Sequence, residues 1–123
     1  MVILPACDPV SLTLFGVGAS AGVSYTLSGV AYKTFTAPVA EVRKASSKAL
    51  GNMGITVKSK DVAKNGEETI IAFSTDREIE ITLEPISENA TRMRTVVKKE
   101  GLLFDRATAT EIIIQTEKIL VSA

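Results

Sequence analysis

Histidine and tryptophan are both missing from this 123-residue chain, cysteine occurs once, and 14 basic residues are matched by 14 acidic ones. Each absence excludes something. Without histidine the chain lacks the side chain that most often serves as general base and as metal ligand near neutral pH. One cysteine cannot form an internal disulfide, so the thiol gives no sign for or against an oxidising compartment. A formal charge of zero argues against a dedicated nucleic-acid binder, which carries a basic excess or a basic stripe. The length corresponds to one domain plus an appendage, and a globular part of roughly 90 residues folds without a metal or disulfide staple.

What is present divides the chain in two. From Pro9 to Tyr32 there is no charged residue, and Gly16, Gly18, Gly22 and Gly29 punctuate a run of small and apolar residues. The lone cysteine closes Leu4-Pro5-Ala6-Cys7 just ahead of this run, the position at which a bacterial lipoprotein precursor is cut and acylated. Other readings of the same segment stay open. It is long enough for a transmembrane helix, and Gly18 and Gly22 form a GxxxG pattern that permits close helix packing in a bilayer; several Ser and Thr residues dilute its hydrophobicity. Ala19-Ser20-Ala21 resembles a signal-peptidase site, without the positive n-region of such signals. The plainest alternative for Cys7 is a free thiol near the chain start. Only six residues precede it, so acylation carries the expectation of further leader sequence upstream of Met1 or a trimmed start. Residues 1–28 are accordingly taken as a lipobox and apolar tether, and residues 29–123 as a single domain.

From Gly29 onward the pattern is that of a compact fold. Val30 to Thr36 alternates loosely and predicts a strand. Thr36-Ala37-Pro38 reads as a helix entry, after which Val39, Val42, Ser46, Ala49, Leu50 and Met53 share one helical face, with Gly51 or Gly54 as the stop. Ile55 and Val57 begin a second strand. Asn65-Gly66 signals a hairpin into a strand over Thr69 to Ser74, and Thr75-Asp76-Arg77 makes the next turn. Ile79, Ile81 and Leu83 alternate with Glu78, Glu80, Thr82 and Glu84. Ser87 to Ala90 turns the chain into a strand from Thr91 to Lys99. Asp105 then caps a closing helix in which Ala109, Ile112, Ile113, Thr116, Ile119 and Leu120 share a face. The order β-α-β-β-β-β-α predicts an α+β fold, a two-layer sandwich of a largely antiparallel sheet with both helices on one face.

Chemistry-bearing constellations are sparse. Glu78, Glu80 and Glu84 project from one predicted strand and Arg92, Arg94, Lys98 and Lys99 from the next, as a charged docking face or as ordinary cross-strand ion pairing on a solvated face. Asp76-Arg77 is an exposed tip or an ordinary turn. Gly16-Val17-Gly18 does not make a dinucleotide fingerprint, because no parallel βαβ unit surrounds it. No nucleophile has a base beside it, and no acidic residue falls on a predicted core face where burial raises a carboxyl pKa. The expectation is a protein that is not an enzyme and needs no metal or cofactor.

Taken together, Cys7, Gly16 to Gly22, Tyr32-Lys33-Thr34-Phe35, Ala37-Pro38, Met53-Gly54-Ile55-Thr56-Val57 and the strand from Glu78 to Leu83 resemble a family of short bacterial lipoproteins of unknown function, over nearly the whole chain. The resemblance implies a Cys7 that carries a thioether-linked diacylglycerol and an N-acyl chain (palmitate or similar), since more than one acyl chain makes anchoring stable. It also implies a bacterial cell-envelope location, membrane-anchored and facing the periplasm; Asp8 after the cysteine is an inner-membrane retention signal in enterobacteria, and the choice of membrane stays open. The expected partners are the membrane and an envelope protein, with no nucleic acid. The expected role is protein interaction or scaffolding, with an apolar small-ligand or lipid-binding module as the alternative.

Overall fold

A computed structural model of the chain describes residues 23–25, 29–99 and 103–122. It is an α+β fold of one antiparallel sheet and two helices. In chain order the elements are β1 (Ser24–Tyr25), β2 (Ala31–Phe35), α1 (Val39–Asn52), β3 (Thr56–Val62), β4 (Glu68–Ser74), β5 (Arg77–Ser87), β6 (Ala90–Lys98) and α2 (Arg106–Ser122). The strands lie in the order β1-β2-β6-β5-β4-β3, every neighbouring pair antiparallel. β3 to β6 form a meander joined by short turns. β2, separated from β6 by α1 and three strands, inserts against it on the far side.

Local chemistry explains most of these elements. Pro38 takes the cap position of α1, and its carbonyl accepts bonds from the Glu41 and Val42 amides at 3.0 and 3.1 Å. The helix ends in a Schellman closure: Ile55 N–H donates to the Leu50 carbonyl at 2.9 Å and Gly54 N–H to Gly51 at 3.1 Å. Gly54 sits at φ +75° to allow it, and Leu50 and Ile55 are both buried where the motif needs an apolar contact. α2 begins as the sequence predicts, with Asp105 Oδ1 accepting the Thr108 amide at 3.0 Å.

Two elements depart from the sequence reading. A two-residue strand, β1, precedes the first predicted one and pairs Ser24 with Tyr32 and Tyr25 with Ala31. The described end of the uncharged run from Pro9 to Tyr32 thus lies in sheet pairing. β5 also runs through Pro85 to Ser87, further than its alternation suggests. Pro85 lies beyond the last β4 partner (Glu68 opposite Leu83) and beside a bulge, two settings in which a strand tolerates a residue without an N–H.

Alternate strand residues and one stripe of each helix make a single core that includes Ala31, Phe35, Ile70, Ala72, Ile79, Ile81, Leu83, Met93 and Val97 from the sheet with Val42, Leu50, Ala109, Ile112 and Ile113 from the helices. The sequence reading placed no acid on the core side, and this is corrected: Glu68 and Asp105 are both buried. Glu68 fell one residue before the predicted strand. Its carboxylate accepts two bonds from Arg43 of α1, at 3.1 and 2.8 Å. Lys33 of β2 reaches Glu117 of α2 at 2.7 Å. An ion pair at the rim of the core thus ties each helix to the sheet.

Gly29, at the entry to β2, adopts φ +89°, and a Cβ there would stand 2.8 Å from both Cβ and Cγ of Phe104. Left-handed strain and the overlap act together, so Gly29→Ala is expected to cost about 2–3 kcal/mol, read as a lower urea midpoint at unchanged m-value. An unshifted midpoint would show that the Phe104 segment moves aside freely.

Candidate functional site

Strand register sorts the remaining side chains onto the second face of the sheet. Across one row lie Thr56, Phe73, Glu78 and Lys98, extended by Phe104, which bridges to Lys98. The next row holds Ser59, Ile71, Glu80 and Val96. A third carries Asp61, Thr69, Thr82, Arg94 and Tyr32, and a fourth Glu84, Arg92 and Thr34. Every side chain in these rows is exposed or half-buried, whereas those between them in β4, β5 and β6 are buried. On this surface apolar and charged groups meet in a regular array.

The array has a pattern. β5 presents a column of acids, Glu78, Glu80 and Glu84, and β6 beside it a column of bases, Arg92, Arg94 and Lys98. Phe73 and Ile71 flank the acidic column on β4; Phe104 and Val30 flank the basic column on the β2 side. Phe73 is 48% and Phe104 43% exposed, high for phenylalanine. Between the columns a depression of about 190 Å³ is lined by Val30, Glu80, Thr82, Arg94 and Val96.

Simple cross-strand pairing is one of the two accounts of these charges that the sequence offers. The register does set Glu78 opposite Lys98 and Glu84 opposite Arg92. The ion pairs found among the described residues, however, join Lys33 to Glu117, Arg43 to Glu68, and Arg77 to Asp76 and Asp105. None joins the two columns. Arg92 instead lies over the Tyr32 ring, its guanidinium carbon 4.6 Å from the centroid, a cation–π contact directed away from Glu84.

The Asp76-Arg77 tip is not a free one. Arg77 donates to Asp76 at 2.6 Å and, through Nε, to the buried Asp105 at 2.8 Å. Asp105 Oδ2 also accepts the Thr108 hydroxyl at 2.6 Å. Burial pushes the Asp105 pKa up, but the Thr108 hydroxyl and amide and the Arg77 guanidinium outweigh it and hold the carboxyl at about 2. Such a group stays ionised and accepts hydrogen bonds; it is tuned away from proton donation near neutrality. The partners of Asp105 and Glu68 lie 28 and 25 residues away in the chain, which is why spacing alone did not reveal them.

A groove of about 400 Å³ runs between the start of α1 and the end of α2, lined by Glu41, Lys44, Ala45, Lys48, Ile119 and Leu120. No helix among the described residues is long and apolar enough to cross a membrane. Cys7, Gly18 and Gly22, the lipidation and helix-packing candidates, lie outside the described residues. Residues 1–118 match the model of a family described as Protein of unknown function (DUF3568), a match that takes in Cys7 as well as the folded part. No curated protein matches the chain.

Proposed function

The chain belongs to the DUF3568 family, which brings no assigned activity with it, and from that premise we propose that it is a lipid-anchored bacterial envelope protein whose domain is a non-catalytic protein-interaction module. In this reading the fold is a two-layer sandwich with both helices against the core side of the sheet, which leaves the second face as the docking surface. Cys7 carries the acyl chains, and the segment up to β1 is the tether that holds the domain at the periplasmic side of a membrane.

The observation that carries the reading is the second face itself: adjoining acidic and basic columns, with no ion pair joining them, bordered by exposed Phe73 and Phe104. Interface surfaces combine aromatic and arginine anchors with charges that find complements in a partner. Two further features favour interaction over catalysis or ligand storage. The buried carboxylates Glu68 and Asp105 are each engaged by an arginine. The interior between sheet and helices is filled by fully buried side chains such as Leu50, Ile70, Ile79, Leu83, Met93 and Ile112.

A photo-crosslinking residue at Thr82, on the second face, is expected to give a protein–protein adduct in intact cells, while one at the exposed Lys48 of α1 gives none. Mass spectrometry of the membrane-derived protein should find Cys7 acylated. Absence of any adduct from Thr82 overturns the interaction reading, and an unmodified Cys7 overturns the anchor.

A further inference from the structure

We propose that the partner of the second sheet face is another copy of this chain, docked face to face about a two-fold axis that runs along the strands between β5 and β6. The proposal rests on reading this face as a protein-interaction surface, and it goes further by naming the occupant.

An isologous dimer places the same patch of both copies in contact, so the patch must be complementary to itself under the two-fold operation. Two axes in the plane of the interface are simple to consider. An axis across the strands lays β5 over β5 and β6 over β6, so acids meet acids and bases meet bases. An axis along the strands, passing between β5 and β6, exchanges the two columns while keeping each row at its own height. Glu78 of one copy then stands over Lys98 of the other, and Glu84 over Arg92, because the register puts Glu78 with Lys98 and Glu84 with Arg92 in common rows.

The flanks obey the same operation. Phe73 lies one strand outside the acidic column, and Phe104 one strand position outside the basic column in the same row. The rotation carries Phe73 of one copy onto Phe104 of the other, at two symmetric places. In the next row it carries Ile71 towards Val30. In the Glu78 and Glu84 rows opposite charges thus meet, in the two rows between them Glu80 meets Val96 and Arg94 meets Thr82, and at the flank aromatic meets aromatic. Sheets pack face to face about 10 Å apart with strands within roughly 30° of alignment, and this axis keeps the strands of both copies aligned. Arg92, already lying over Tyr32, is positioned away from the acids of its own chain.

Sedimentation velocity on the full chain, with Cys7→Ser to exclude acyl chains and disulfide dimers, tests this. The wild-type surface should give a dimer that weakens with added salt. A variant with Glu78→Lys and Glu84→Lys, and one with Arg92→Glu and Lys98→Glu, should each dissociate about a hundredfold more readily, because like charges then face each other. The decisive arm is the equimolar mixture. In the two rows that pair charges, one variant offers only basic residues and the other only acidic ones, so the two should form a heterodimer although neither pairs with itself.

Recovery of the dimer on mixing is also evidence that both variants are folded. The proposal is overturned by a chain that stays monomeric to about 1 mM, where the binding free energy is only ~4 kcal/mol, by single-column variants that dimerise as well as the wild type, or by a mixture that stays monomeric. If the chain is monomeric while Thr82 crosslinks to a different protein, the second-copy assignment fails and the interaction reading stands. If Thr82 gives no adduct at all, the interaction reading fails.

Discussion

Asp105→Ala should cost the domain about 3 kcal/mol, a large loss for a polar residue, seen as a drop in the urea midpoint at constant m-value. The side chain does three jobs at once. It caps α2 by accepting the Thr108 amide, a role worth about 1 kcal/mol. It accepts the Thr108 hydroxyl and Arg77 Nε on its other oxygen, and hydrogen bonds to a charged group contribute about 1.5–3 kcal/mol. Asp105→Asn keeps the cap acceptor and removes the charge, so it should fall between wild type and alanine.

The same residue sets an acid limit. Its carboxyl titrates at about 2 when folded against 3.8 ordinarily, so its folded pKa is depressed. Its contribution is fully present above pH 4, where the carboxylate is ionised in both states. As pH falls from about 4 towards 2 the unfolded chain takes up the proton first, and roughly 2 kcal/mol of stability drains away over that window. The Asn variant has no proton to take up at this position, so its stability should decline less steeply over the same window. Identical acid slopes for wild type and variant would show that the Arg77 and Thr108 contacts do not persist in solution.

Ile81→Ala should cost about 3–4 kcal/mol, while Ile71→Ala costs about 1 kcal/mol or less. Ile81 is fully buried at the centre of β5, opposite Ile70 and Thr95, and removing it leaves a cavity that its neighbours cannot close. Ile71 is one strand away, on the other face, half-buried and opposite Glu80. The pair separates the two faces of one sheet: the first change should lower stability in a dilute monomer, and the second should appear mainly as weaker association. Equal losses at both sites in the monomer would mean that the second face is covered by the chain itself.

Much of this architecture was legible because it rests on short-range rules. The apolar faces of both helices, the Pro38 entry, a stop at Gly51 or Gly54, the Asp105 cap and the alternation of Ile79, Ile81 and Leu83 each involve residues within a few positions of one another. What failed to show was long-range or lay at an end. β1 is two residues in an uncharged run and takes its conformation from pairing with β2, not from its own composition. Glu68 is buried because Arg43 comes to it from α1, a meeting that no local pattern announces. Alternation put the acids of β5 and the bases of β6 on a common face, but not the absence of ion pairs between them. Phe104, which completes the flank of that face, follows β6 by a bridge that has no sequence signature.

The outer edge of β3 has a consequence for how this protein can assemble. Among the described residues nothing pairs with that edge. It carries exposed Lys58, Lys60 and Asp61, and a register shift between Val57 and Ser59 leaves Lys58 out of the ladder. Charged residues and a bulge make an edge a poor template for another strand. Growth by strand addition, the route to fibres, is therefore obstructed at β3 while the flat of the sheet stays accessible. A molecule of this design can close upon a partner and stop, and a higher local concentration would raise the number of finite pairs without seeding an endless ribbon.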